Sequence, residues 1–491
     1  MAGYHGIDVL TTPEATEIRS VVEKWESAPS HERDFRAFEQ QVRQATLRLE
    51  RSVLARGLAA FDVDHDRIQV GEKQFKKLES PREGTYCCLA GEISVPRHLY
   101  TPAEGGRPIC PLELRAGIVE GAWTPSAAEI MAHSAAVMTP YEAESLLPKF
   151  GGFSPSRSSL DRLPKALSKR WEENRVAWEA AIRESEAVPV GTAIVAVSLD
   201  GVTVPMKNGG RAKKREEARK QGKETRGPAG YREAGCGVVA MYDDYQKRLQ
   251  TIYYGRMPES KKSTLHEQLL SEASAVLSTV SCPILVLMSD GANDNWRILD
   301  DIVESMRKQG LLRPDDVVFR IADFYHASEH LKKATDLYYG QNSPKSFGAH
   351  EELRRILLKE GDGVEQVIKR LTYFRNQLPK GRRRDQLSTK VEYFRSRIDR
   401  MRYAEYQRLG LPIGTGVTEA TCKVLVTQRM KRSGQRWAEG GGQAILTLRS
   451  LLRSGRWDTG WALISTSYRP RIAKVSQKGH LRVIEPLDAV A

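Results

Sequence analysis

Cys282–Trp296 reads CPILVLMSDGANDNW. An apolar run, Pro283 to Met288, stops at Ser289-Asp290-Gly291, and a polar segment follows. A short apolar run bounded by turn residues is the pattern of a buried central strand. A carboxylate at the carboxyl end of such a strand sits where open α/β sheets place their chemistry. Ala193–Gly201, AIVAVSLDG, repeats the design with Asp200 as the terminal carboxylate. Each aspartate taken alone also fits an ordinary Asp-Gly turn; two buried strands that each deliver one point to a metal-dependent site.

Working outward, the order of elements decides the fold class. Strands are predicted at 193–200, 236–242, 248–255, 283–288 and 317–321, with helices at 263–279 and 296–308. Three consecutive strands followed by helix-strand-helix-strand match an α/β RNase H-like core, an antiparallel meander extended by parallel crossovers. From His330 to Leu411 the chain reads as helical and basic, an all-α insertion into that core. After it, Gly414–Lys423 leads into a helix predicted through Met430, with Glu419 in its first turn, and a last helix is expected at 444–453.

The segments ahead of the core differ in character. Residues 1–66 read as a helical region, 67–123 as a small β-rich module, and 124–189 as a helix-turn-helix domain with a linker helix. The core then occupies 190–329, the insertion 330–412, the second part of the core 413–468 and a tail without periodicity 469–491. Thr124-Pro125 and Thr139-Pro140 each place a cap ahead of a helix-starting proline. Helix, glycine turn and a helix opening on Ser156 and Arg157 is the layout of a DNA-reading helix-turn-helix, and equally of a plain helical hairpin.

With 491 residues the chain has room for about three domains. A net charge of +14 points to a polyanion, most often nucleic acid. The basic clusters are Lys207–Arg232, with Lys213, Lys214, Arg215, Arg219 and Lys220, expected to be a mobile loop; Arg382-Arg383-Arg384; and Lys431, Arg432 and Arg436. Tyr373-Phe374-Arg375 and Tyr393-Phe394-Arg395 fit base stacking or, preferably, helix core. Six scattered cysteines contain no CxxC pair, which removes the zinc-ribbon spacing and suits a reducing cytoplasm. No apolar run long enough to span a membrane and no signal-peptide order is present.

Asp200, Asp290 and Glu419 fit a two-metal carboxylate triad by element type, while Asp323 and His326 stand close by at the fifth strand's end. His326 and His330 share a helical spacing that weakly suggests zinc. Asn293, Asp294 and Asn295 are expected on a loop beside the metals.

SLDG at 198–201, MSDGANDNW at 288–296, ADFYHASEHL at 322–331 and GTGVTEATCKVLVTQRMKRSGQRW at 414–437 together resemble the ISKra-type transposases of bacterial insertion sequences. The resemblance covers about residues 190–455 and, more loosely, 80–185. It implies a DDE transposase whose Asp200, Asp290 and Glu419 hold two Mg²⁺ or Mn²⁺ ions. Asp323-x-x-His326 is similar to the signature of Mutator-like and hAT-like transposases, in which a helical insertion also precedes the glutamate. The implied partners are double-stranded terminal-repeat and target DNA, bound by a dimer or larger assembly at the nucleoid. A nuclease or resolvase without strand transfer and a domesticated DNA-binding protein are the other classes open.

Overall fold

A computed structural model describes residues 12–102, 104–207, 209–223, 230–280, 283–290, 293–414, 421–475 and 481–484. It is a mixed α/β chain. It divides into two compact units, one of Met1–Trp178 with Trp457–Ala491 and one of Glu179–Arg456.

The first unit begins with a helical hairpin, α1 (Pro13–Ser27) and α2 (Phe35–Ala59). Thr12 and Asp34 cap them by accepting backbone N–H bonds that the helices cannot satisfy internally. Five strands follow: β1 (Arg67–Val70), β2 (Lys73–Lys77), β3 (Arg82–Cys88), β4 (Gly91–Arg97) and β5 (Tyr100–Pro102). β3 and β4 form a separate ribbon whose inner residues Tyr86, Cys88, Ile93 and Val95 pack with Leu58 and Leu112. Helices α3 (Pro111–Ala116), α4 (Pro125–Val137), α5 (Pro140–Phe150) and α6 (Arg157–Ser185) come next. Of the two Thr-Pro starts, Thr139 closes a capping box with Glu142, whereas Thr124 makes no side-chain cap bond.

The second unit is built on a five-stranded sheet. β6 (Ile194–Pro205), β7 (Tyr231–Tyr242) and β8 (Arg248–Arg256) form an antiparallel meander, and β9 (Ile284–Ser289) and β10 (Val318–Ala322) add in parallel beside β6. The spatial order is β10-β9-β6-β7-β8. β6 and β7 outrun their predicted lengths, pairing as far as Pro205 with Tyr231. The segment expected to be a mobile loop between them contains a helix, α7 (Gly209–Lys220). Its Ala, Glu, Lys and Arg are strong helix formers, and Lys220 pairs with Glu216 one turn back.

Each face of this sheet is covered. On one face Val195, Val197, Leu199, Leu285 and Leu287 pack against α8 (Ser263–Thr279) and α9 (Asn293–Lys308). Leu265, Leu269, Ala273 and Val276 recur at helical steps, as do Trp296, Leu299, Val303 and Met306. On the other face Ile194, Ala196, Val286, Met288 and Ile321 meet α10 (Phe324–Tyr339) and, beyond it, α11 (Pro344–Lys359), α12 (Gly363–Gln377), α13 (Arg382–Arg395) and α14 (Tyr403–Arg408). Phe374 and Phe394 are buried there, so the aromatic-aromatic-Arg units serve mainly as helix core; Tyr373 is exposed. The Tyr403 hydroxyl donates to the Ala322 carbonyl across 2.8 Å, fixing α14 to the end of β10.

A π-helical turn at Cys422–Thr427 runs into Gln428–Met430, and α15 (Glu439–Arg453) follows. The expected start at Ala444 is corrected: Gly440, Gly441 and Gly442 lie inside α15. A Cβ on Gly442 would come within 2.4 Å of Met257 Sδ, so glycine allows close approach at that point.

The chain then returns to the first unit with α16 (Trp457–Thr466), β11 (Ile472–Val475) and β12 (Leu481–Val483). The expected structureless tail is therefore corrected too. β11 pairs antiparallel with β1, placing Ile68 opposite Lys474, in a sheet ordered β12-β11-β1-β2-β5.

Candidate active site

The register of three parallel strands builds the site. Leu199 pairs with Ser289, and Ser289 with Ala322. The next residue on each strand is an aspartate, so Asp200, Asp290 and Asp323 follow one another along the carboxyl edge of the sheet. Neighbouring strands lie about 4.8 Å apart. By the alternation of the pleat, Asp200 and Asp290 follow Ala196 and Met288 on the face that carries α10 to α14.

Asp200 accepts from the Gly201 N–H at 2.6 Å and from the Cys422 thiol at 3.2 Å. Burial pushes its carboxyl above the ordinary aspartate value, and the negative charge of Asp290 adds to this. The Gly201 N–H, the Cys422 thiol and the Lys262 ammonium act the other way. Asp290 is half-buried and accepts from Ser289 Oγ at 3.2 Å. Asp323 is 3% exposed and caps α10, accepting from the His326 N–H at 2.6 Å, while its own N–H donates to the Ser289 carbonyl. The Asp-x-x-His spacing thus has a local cause: a cap and the third residue of its helix.

His326 and His330 share a face of α10, with rings 5.0 Å apart. His330 stacks on Tyr393 at 3.7 Å, and burial pushes its pKa down to about 3. Among the described residues, no three His, Cys, Asp or Glu side chains gather into a ready metal site. Glu419, with the glycines and threonines around it, lies outside the described residues.

A brace behind Asp200 was not legible in the sequence. Lys262 Nζ donates to Asn295 Oδ1 and reaches Glu233 Oε1, both at 2.7 Å; Asn295 Nδ2 lies 3.4 Å from the Leu199 carbonyl. Asn295 is 3% exposed on α9, which corrects its expected place on a loop; Asn293 and Asp294 are exposed in the first turn of the same helix. Lys261 and Lys262 both adopt positive φ, near +50°, a conformation costly for side chains with a Cβ. Cys422 and its neighbour Cys236, which stands opposite Asp200 in β7, were also missed, because nothing in the spacing of lone cysteines signals a contact.

The candidate nucleic-acid residues are scattered in use. Arg157 is tied to Glu144 by three hydrogen bonds and lies over Tyr141, while Ser156 Oγ accepts from the Ser159 N–H. Lys213 and Lys214 fall on the backbone of α7, with Arg219 and Lys220 exposed and Arg215 half-buried. Arg382 is exposed, whereas Arg383 donates to the Leu337 carbonyl and Arg384 to that of Leu378. Lys431 and Arg436 are exposed, and Arg432 donates to the Gln428 carbonyl. Among the described residues, no helix is long and apolar enough to cross a membrane. The chain matches no family model and no curated protein.

Proposed function

We propose that this chain is a DDE-type transposase that cuts DNA at transposon ends and joins the freed 3′-hydroxyl to target DNA. The observation that carries this reading is the in-register placement of Asp200 and Asp290 at adjacent strand ends, facing one side of the sheet. Three further features support it. The order β10-β9-β6-β7-β8, an antiparallel meander with two parallel additions, suits the RNase H-like core that this reading calls for. A run of helices separates β10 from the segment that returns to Asp200 at Cys422. The net charge of +14 suits a DNA partner.

The donor set fits Mg²⁺ or Mn²⁺. Carboxylate oxygens are the ligands such ions prefer, and the mutual repulsion of Asp200 and Asp290 is what a bound cation would relieve. Asp200, Asp290 and Glu419, which stands three residues before Cys422 in sequence, are the proposed ligands. Divalent ions held by these carboxylates would supply charge stabilisation for the displacement at phosphorus. In the cut, the oxygen of water bonds to phosphorus as the bond to the 3′-oxygen breaks, and a proton passes to that oxygen. In joining, the freed 3′-oxygen bonds in line to a target phosphorus as that phosphorus loses its bond to the target's 3′-oxygen, and the proton of the attacking hydroxyl passes to the departing oxygen. Asp323 holds the start of α10 in place, and the exposed Arg219, Lys220, Arg382, Lys431 and Arg436 follow the DNA backbone. Pairing of two ends calls for a dimer or larger assembly.

The test uses purified chain, Mg²⁺ and a labelled duplex bearing the repeats that flank its coding sequence. Wild type nicks the end and transfers it to a target plasmid, while Asp290→Asn does neither. Nicking without transfer would favour a nuclease of the same fold. Nicking by Asp290→Asn at the wild-type rate would remove the triad.

A further inference from the structure

The helical hairpin that opens the first unit leaves much of its apolar seam exposed. No residue of α1 is buried, and of the 25 in α2 only Ala45 and Leu58 are. Ile18, Val21, Val22 and Trp25 recur at helical steps along α1, and each stays half-buried. Trp25 stacks on Phe38 at the closed end, with centroids 4.5 Å apart, and meets Phe35 edge-on at 6.2 Å. Phe35 is 67% exposed. Val42 and Leu49, one and two heptads further along α2, are half-buried as well.

A helix of 15 residues is marginal in water by itself and is held in proteins by burying an apolar face. Two helices side by side cannot enclose the residues between them, whereas four can. The charges favour a second hairpin of the same kind. α1 carries four glutamates against Arg19 and Lys24, and α2 carries five arginines against Glu39 and Glu50. Within one chain Arg48 of α2 already grips Glu17 of α1 with two N–H bonds, that of Nε measuring 2.8 Å. About a two-fold axis, one copy lays its acidic α1 on the basic α2 of the other, and symmetry supplies the reverse contact. The paired face measures roughly 600 Å² in projection, near the about 800 Å² per partner that stable pairs bury.

We propose that α1 and α2 form a dimerisation surface whose partner is a second copy of this chain, the two hairpins closing into an antiparallel four-helix bundle. Phe35 of each copy is the anchor, a large ring that passes from water into the other copy's seam. Arg33, with its guanidinium 5.8 Å over the Trp25 ring, stands at the rim. The dimer forms without DNA, so it stands apart from the cleavage reading; under that reading it is the contact that holds two transposon ends together.

Sedimentation equilibrium of the full chain without DNA tests this on wild type, Phe35→Glu and Gln44→Glu. Wild type and Gln44→Glu, whose site lies off the stripe, are expected at twice the chain mass. Phe35→Glu alters an exposed ring, so its circular dichroism is expected to match wild type while its dissociation constant rises roughly 30-fold or more. Amide exchange in Pro13–Ser27 of wild type is expected to slow as the mass doubles, a readout that needs no variant. A wild-type monomer at every concentration overturns the inference, as does a Phe35→Glu dimer as tight as wild type. A chain that pairs only after residues 2–11 are removed covers the face itself, and this overturns it too. So does loss of DNA binding by Phe35→Glu with the dimer intact, which makes the face a DNA surface. The cleavage reading is decided separately, by Asp290→Asn.

Discussion

The thiol of Cys422 donates to Asp200 Oδ2 across 3.2 Å, joining a π-helical turn to the end of a β-strand 222 residues earlier. The bond favours the ionised carboxylate, against the burial that disfavours it. Cys422→Ala should therefore raise the pH at which Asp200 ionises, and Cys422→Ser, which keeps a donor, should raise it less. Carboxyl chemical shifts of the metal-free protein followed through a pH titration measure the difference. The acid limb of the cleavage profile should move in the same direction.

Asp200 itself carries a stability consequence. Its folded-state pKa lies above the ordinary value, so the folded chain holds the proton more tightly than the unfolded chain does. This contribution is present at low pH and is lost as pH rises through the folded value. At neutral pH the ionised carboxylate is a burden on the metal-free fold. Asp200→Asn should raise the melting temperature of metal-free protein, on the order of 2 °C. Mn²⁺ should stabilise wild type by mass action and leave Asp200→Asn unmoved in thermal melts.

Within the second unit, Arg456 is clamped by Glu272 at 2.7 Å and Glu186 at 2.6 Å, and Tyr254 donates to Glu272 at 2.6 Å. The Arg456 and Glu272 side chains are 6% and 3% exposed. Arg456→Met leaves a buried carboxylate without its main partner, and such losses cost about 3–5 kcal/mol. Urea unfolding should show that loss, and Arg456→Met with Glu272→Gln should recover part of it. Arg456→Lys should not, because a single ammonium does not reproduce the two-armed bond.

The ring of His330 gives an acid-sensitive element. Burial lowers its pKa to about 3, against 6.5 for the free group, with nearby Lys390, His326, Lys333 and Arg397 adding to the effect. Below the unfolded value, the unfolded chain binds a proton that the folded one refuses, so stability falls as pH falls from 6.5 toward 3. His330→Phe should flatten the decline in melting temperature between neutral pH and pH 5.

What the sequence disclosed follows the range of each interaction. Val195 to Leu199 and Ile284 to Met288 are apolar runs cut off by turns, so the strands and their terminal aspartates were visible locally. Trp296, Leu299, Val303 and Met306 announce α9 by period alone. The Cys422–Asp200 bond and the Lys262–Asn295 brace join residues far apart in the chain, and no local pattern marks them. Tyr393 was read as helix core in preference to a base-stacking residue, and its side chain is buried. β11 was missed because Ile472–Val475 is only four residues long, too short for alternation to register.

The pairing of β1 with β11 constrains how the chain acquires its structure during synthesis. Glu179–Arg456 is contiguous, so it can fold while the ribosome is still at work. The edge of β1 must wait for Ile472 to emerge, roughly 400 residues later. Through that interval it is open to other strands, a hazard that natural sheets take care to cover. A truncation just before Arg471 would make the waiting permanent. Such a chain should form inclusion bodies even though every residue of the aspartate row is intact.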